Sequence, residues 1–93
     1  MSVEAVVERS FKVRAELGLH ARPAGQFVSL ASRFTSEITV GRGDEWVSGS
    51  SILSILSLAA EHGSTLKIRA QGADAEQAVT ELGSLLETEG AVS

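Results

Sequence analysis

Phe11, Val13, Ala15 and Leu17 alternate with Lys12, Arg14 and Glu16, a period of two that predicts a strand with one face on a core, ended by Gly18. From Ala24 the spacing changes. Ala24, Phe27, Val28, Ala31 and Phe34 recur at helical intervals. Pro23 fits only the first turn of that helix, where its missing N–H removes no bond, so the helix should begin close to His20 or Ala21. Ile38 and Val40 alternate with Glu37 and Thr39, and Trp46-Val47 follow the glycine-bearing Gly41-Arg42-Gly43-Asp44, which predicts a β-hairpin. The serines of Ser48-Gly49-Ser50-Ser51 offer cap oxygens to a short helix running from Ile52 toward Ala60, with Gly63 as its stop. Leu66, Ile68 and Ala70 alternate with Lys67 and Arg69 as a further strand, ended by Gly72. Asp74 and Gln77 form a capping-box pattern ahead of Ala75, Ala78, Val79, Leu82, Leu85 and Leu86, the clearest amphipathic helix in the chain.

The resulting order is βαββαβα. Each helix needs a partner for its apolar face, and one antiparallel sheet of four strands covered on one side supplies it. The expected fold is therefore α+β, a two-layer open-faced sandwich with three helices on one face. A chain of 93 residues is too short to divide into two lobes with separate cores, so residues 1–93 are expected to form one domain, with its core at about 8–88. The ends, including the tail from Thr88 to Ser93, should fray.

Composition narrows the function. Without cysteine there is no disulfide framework, thiolate metal site or cysteine nucleophile, and an unstapled small domain fits a reducing cytoplasm. Met1-Ser2-Val3-Glu4 carries no basic region followed by an apolar run, so a secretory signal is not expected. The stretch from Ile52 to Ala60, broken by Ser54 and Ser57, is far below the ~20 residues a membrane span needs. The net charge of −4 is unevenly placed: residues 1–35 hold five basic and three acidic groups, residues 36–93 three basic and nine acidic. An anionic partner should therefore be met through the first third of the chain. Four aromatic residues on an acidic protein argue against a nucleic-acid binder.

His20 lies between the strand stop at Gly18 and a helix whose first turn holds Arg22 and Pro23. On the residues alone it is either a surface or capping histidine or a phosphoryl acceptor. The second reading is physical because a helix N-terminus presents unpaired N–H groups and a positive dipole end, while an arginine can fork onto phosphate oxygens. Ser51 is similarly either a plain N-cap or a modification site. Ile52, Ile55, Leu56 and Ala59 fit a core face of the short helix, with Leu53 elsewhere on the wheel, either exposed or tucked under a loop. His62 is expected to face water near that helix end, without a function.

Gly18-Leu19-His20-Ala21-Arg22-Pro23-Ala24 resembles the active-site signature of the histidine-containing phosphocarriers of the bacterial phosphotransferase system, the HPr family. The resemblance continues through Gln26-Phe27-Val28, Phe34 to Val40, Ser51-Ile52-Leu53 and Gly72 to the last helix, over roughly residues 8 to 88. It implies a cytoplasmic, monomeric carrier rather than an enzyme, with no cofactor or metal. His20 would accept a phosphoryl group on Nδ1 from Enzyme I and pass it to IIA domains. Arg22 would steady that group, and Gly18, Leu19, Ala21, Pro23 and Ala24 would shape the turn. Ser51 matches a serine phosphorylated by HPr kinase/phosphorylase in many members, and Leu53, flanked by Ile52 and Leu56, matches an apolar docking position. Leu17 departs from the small polar residue many members place before the glycine. Three other readings stand beside this one: a regulatory-branch carrier not tied to sugar uptake, a ferredoxin-like ligand- or nucleic-acid-binding module, and a small phosphatase, for which no water-positioning group is apparent.

Overall fold

A computed structural model describes residues 5–88. Four strands and three helices follow in the expected order: β1 (Ala5–Lys12), α1 (Ala21–Ala31), β2 (Glu37–Arg42), β3 (Glu45–Ser48), α2 (Ile52–Leu56), β4 (Thr65–Gly72) and α3 (Ala75–Leu86). The sheet is antiparallel throughout, in the spatial order β1-β4-β2-β3. β4 lies in its middle, where Ile68 faces Arg9 on one side and Val40 on the other. That position explains its clean alternation. Leu66, Ile68 and Ala70 point to the helices and are fully buried, while Thr65, Arg69 and Gln71 face water.

The core lies between sheet and helices. Phe27 of α1, Ile55 of α2 and Val79 and Leu82 of α3 meet Val13, Val40, Leu66 and Ile68 there, all essentially without solvent contact. At roughly 1.5–3 kcal/mol per fully buried large aliphatic or aromatic side chain, this layer is the dominant favourable term of the fold. α3 lies very close to β1: a Cβ built on Gly83 would overlap the Phe11 ring, so any larger residue there would have to displace that ring.

Three expectations need correction. The first strand is displaced toward the N-terminus: β1 ends at Lys12, and Val13 instead exchanges backbone bonds with the loop before β4, through Val13 N–H to Ser64 O (2.9 Å) and Gly63 N–H to Val13 O (2.8 Å). Val13 and Ala15 are buried as expected, but Leu17 is 80% exposed because the chain has already turned.

The short helix stops at Leu56 rather than continuing toward Gly63. Consequently its expected core face is wrong at two positions: Ile52 is 41% exposed and Ala59 is exposed, while Ile55, Leu58 and Ala60 fill the core. Finally, Asp74 occupies the N-cap position of α3 without capping it, and Gln77 donates to Glu81 (2.8 Å), so no capping box forms. The ends expected to fray, beyond Thr88 and before Ala5, lie outside the described residues.

Candidate functional site

α1 begins where the sequence places it, with His20 as N-cap in extended conformation (φ −100°, ψ −168°). A tight turn delivers the chain to this point. Gly18 has φ +78°, a left-handed conformation costly to any residue with a Cβ, and its N–H donates to Ala15 O (2.9 Å). A Cβ there would also lie 2.7 Å from the Ala60 carbonyl oxygen. Leu19 is buried and its N–H donates to that same Ala60 oxygen at 2.8 Å, which pins the residue before His20 to the loop after α2. Pro23 and Ala24 are buried on the inner side of the first turn. Between these anchors His20, Ala21 and Arg22 face water.

The His20 side chain makes no capping hydrogen bond. Its carbonyl accepts from Ala24 N–H (3.0 Å), closing the first turn, and Pro23 has no N–H to offer. The amides of Ala21 and Arg22 are thus the donors left without intrahelical partners, and they stand beside the free imidazole. No acidic residue occupies the first turn, and Arg22 is the only charged residue of α1. The positive end of the helix and the arginine therefore act together on whatever sits there. Arg22, Gly25, Gln26, Ser29 and Arg33 line a shallow open cleft along the outer side of α1, which carries this positive character onward.

The second region meets the first through α2. Ser51 is its N-cap, and its hydroxyl oxygen accepts from Ser54 N–H at 3.2 Å, so the plain capping role is real. Ile52 reaches toward α1: a Cβ on Gly25 would stand 3.9 Å from Ile52 Cδ1. This places the exposed side of α2 one turn beyond Arg22. Leu53 projects from it at 80% exposure, and Leu56 is half-buried.

One structural element went unread in the sequence. The segment from Ala60 to Gly63 buttresses the turn, because His62 Nδ1–H donates to Ala15 O (3.3 Å) in addition to the Ala60–Leu19 bond. His62, expected to be idle, thus steadies the approach to His20. Only Gly63 signals this loop in the sequence, and a glycine marks a turn without naming its partner. Among the described residues no group of three or more His, Cys, Asp or Glu side chains gathers into a metal site, and no helix is long and apolar enough to cross a membrane.

Comparison with known proteins agrees with this fold. The family model of the PTS HPr component phosphorylation site covers residues 7–88. The multiphosphoryl transfer protein of Haemophilus influenzae is 41% identical over 88 residues, which make up 91% of this chain but only 18% of that protein. The HPr-like protein Crh of Halalkalibacterium halodurans is 39% identical over 84 residues, 90% of this chain and 100% of its own. The crystal structure of HPr-C-His from Thermoanaerobacter tengcongensis superposes with a TM-score of 0.86 at 37% identity, over 94% of this chain and 98% of that one.

Proposed function

Because this chain belongs to the HPr family of phosphotransferase-system phosphocarriers, we propose that it takes a phosphoryl group from the phosphohistidine of Enzyme I onto His20 and hands it to IIA domains in the cytoplasm. The observation that carries this reading is the uncapped, exposed imidazole of His20 at the N-terminus of a helix whose only charged residue, Arg22, lies in its exposed first turn.

The step balances simply. A ring-nitrogen lone pair of His20 attacks phosphorus in line as the N–P bond of the donor breaks, and that bond's electron pair leaves with the donor's imidazole. Transfer to an acceptor histidine repeats the exchange, so the chain is regenerated and acts stoichiometrically. Little is asked of the protein beyond position and charge: the Ala21 and Arg22 amides and the Arg22 guanidinium face the equatorial oxygens, where negative charge is concentrated. Gly18 and Leu19 fix the approach, and Ala21, Pro23 and Ala24 fix the first turn.

Ser51, at the head of α2, is the regulatory acceptor for an HPr kinase/phosphorylase in this reading, and Ile52, Leu53 and Leu56 belong to the partner contact. The likeness to Crh proteins, among them the Bacillus subtilis catabolite repression HPr, supports a second reading, a member of the family serving regulation rather than sugar uptake.

The decisive experiment incubates the chain with phosphoenolpyruvate and Enzyme I and follows intact mass. One phosphate is expected, lost in mild acid because a phosphoramidate N–P bond is acid-labile, and absent from His20→Ala. Labelling of His20→Ala under these conditions would overturn the assignment.

A further inference from the structure

Leu17 is a large apolar side chain that is 80% exposed, three residues before His20. Nothing in the turn requires it: the backbone geometry there is set by Gly18 and by the bonds of Ala15 and Leu19, and neither the core nor the residues packed against it include Leu17. Resting on the carrier reading of His20, we infer that Leu17 is an apolar anchor for the phosphoryl-donating protein, and that it sets how tightly that donor is held.

Distance decides what covers this side chain. Consecutive Cα atoms are about 3.8 Å apart, so the Leu17 and His20 Cα atoms are separated by no more than about 11 Å. Direct transfer between two proteins requires the donor's phosphohistidine to reach the His20 ring, which centres the interface on that ring. An interface of ordinary size covers about 800 Å² on each partner, a disc of roughly 16 Å radius. Leu17 falls inside that disc, so the donor covers it whenever it delivers its phosphoryl group to His20.

The chemistry of the rim agrees. On the helix side of His20 the surface is cationic, with Arg22 and then Arg33 along the α1 cleft. On the strand side Leu17 is a large apolar side chain in the open, next to the exposed Glu16. The matching donor face is acidic over α1 and offers an apolar recess opposite Leu17. A buried aliphatic anchor beside a charged rim holds the complex, while the rim charges chiefly set the encounter rate. Leu17 does not touch the reacting atoms, so it acts on affinity and not on the chemical step.

The test is steady-state phosphorylation by Enzyme I and phosphoenolpyruvate at varied concentrations of the parent, Leu17→Ser and Leu17→Met, with thermal melts of each. Leu17→Ser should raise KM roughly tenfold at unchanged kcat and unchanged melting midpoint, and Leu17→Met, which keeps the apolar volume, should restore KM to within about twofold of the parent. A Leu17→Ser KM within twofold of the parent overturns the inference while leaving His20 phosphorylation intact. A fall in kcat at constant KM also overturns it, because it would place Leu17 in the chemistry rather than in docking. No phosphorylation of the parent would overturn the carrier reading, and the inference with it.

Discussion

Asp74 Oδ1 accepts two hydrogen bonds from one residue, Ser36, from its amide at 2.9 Å and its hydroxyl at 2.5 Å, while Oδ2 accepts from the Thr35 amide at 2.9 Å. The carboxylate at the head of α3 thus holds the start of β2, and these bonds keep its pKa below the ordinary 3.8, the Ser36 hydroxyl contributing most. A group whose pKa falls on folding stabilises the native state above its unfolded value, and loses that contribution as pH drops through the lower, folded one. Asp74→Asn should therefore lower the melting midpoint at pH 7 and flatten its decline as the pH falls below the ordinary 3.8. Parallel acid limbs in thermal melts of parent and variant would show that Asp74 contributes no pH dependence.

Ala59 is, among the described residues, the one non-glycine residue with positive φ, at +51°. Its carbonyl and that of Leu58 both accept from Arg42 Nη1, each at 2.9 Å. This hairpin arginine closes the end of α2 and holds the left-handed residue in place. Left-handed backbone costs an L-residue roughly 1–2 kcal/mol, partly offset by the greater freedom glycine loses on folding. Ala59→Gly should then stabilise the protein by up to about 1 kcal/mol, whereas Arg42→Ala should destabilise it by about 1 kcal/mol through the two released carbonyls. Denaturant unfolding of both variants measures this, and a destabilised Ala59→Gly would refute the strain.

The start of α1 and the middle of the sheet are legible in the sequence because local rules alone determine them. Pro23 admits one helical turn, Gly18 one kind of bend, and β4, paired on both sides, alternates without exception. Where partners are distant, local pattern misleads. β1 lies at the sheet edge and turns Arg9 toward α3, where it pairs with Glu76 and Thr80, so its helix-facing side does not read as apolar. Asp74 and Gln77 have capping-box spacing, yet Asp74 is engaged by residues 38 and 39 positions away. The apolar run after Ser51 continues in helical register, but Ala60 must offer its carbonyl to Leu19, and the chain leaves the helix early to do so. The resemblance of Gly18 to Ala24 to the family signature points to His20 and Arg22 as the proposed site; the support from Ala60 and His62 appears only in three dimensions.

Arg22 is exposed on the first turn while Pro23, Ala24 and Phe27 carry the packing, so its removal should leave the fold intact. A charged hydrogen bond contributes roughly 1.5–3 kcal/mol, and Arg22→Ala should slow transfer to and from His20 by about 10- to 100-fold at an unchanged melting midpoint. Arg22→Lys should recover only part, since a point charge lacks the guanidinium fork. Rapid-quench measurements in both directions test this. Parental rates would reduce Arg22 to an ordinary surface charge.

Ser51 caps α2 through its hydroxyl oxygen, and the same helix presents Leu53, so one substitution can separate folding from docking. Aspartate caps a helix as well as serine does and adds a favourable dipole term of ~0.3–1 kcal/mol at most. Ser51→Asp should therefore melt no lower than the parent. In the proposed docking, however, the new charge sits at the rim of an apolar contact, where like or unpaired charge weakens association. Phosphate uptake from Enzyme I should slow about tenfold, through KM, and added salt should narrow the difference because screening acts on exposed charge. Leu53→Ala should weaken the same association with no salt dependence, since it removes contact area and adds no charge. If Ser51→Asp accepts phosphate at the parental rate while Leu53→Ala does not, the contact reaches Leu53 but stops short of the cap, and Ser51 serves the helix alone.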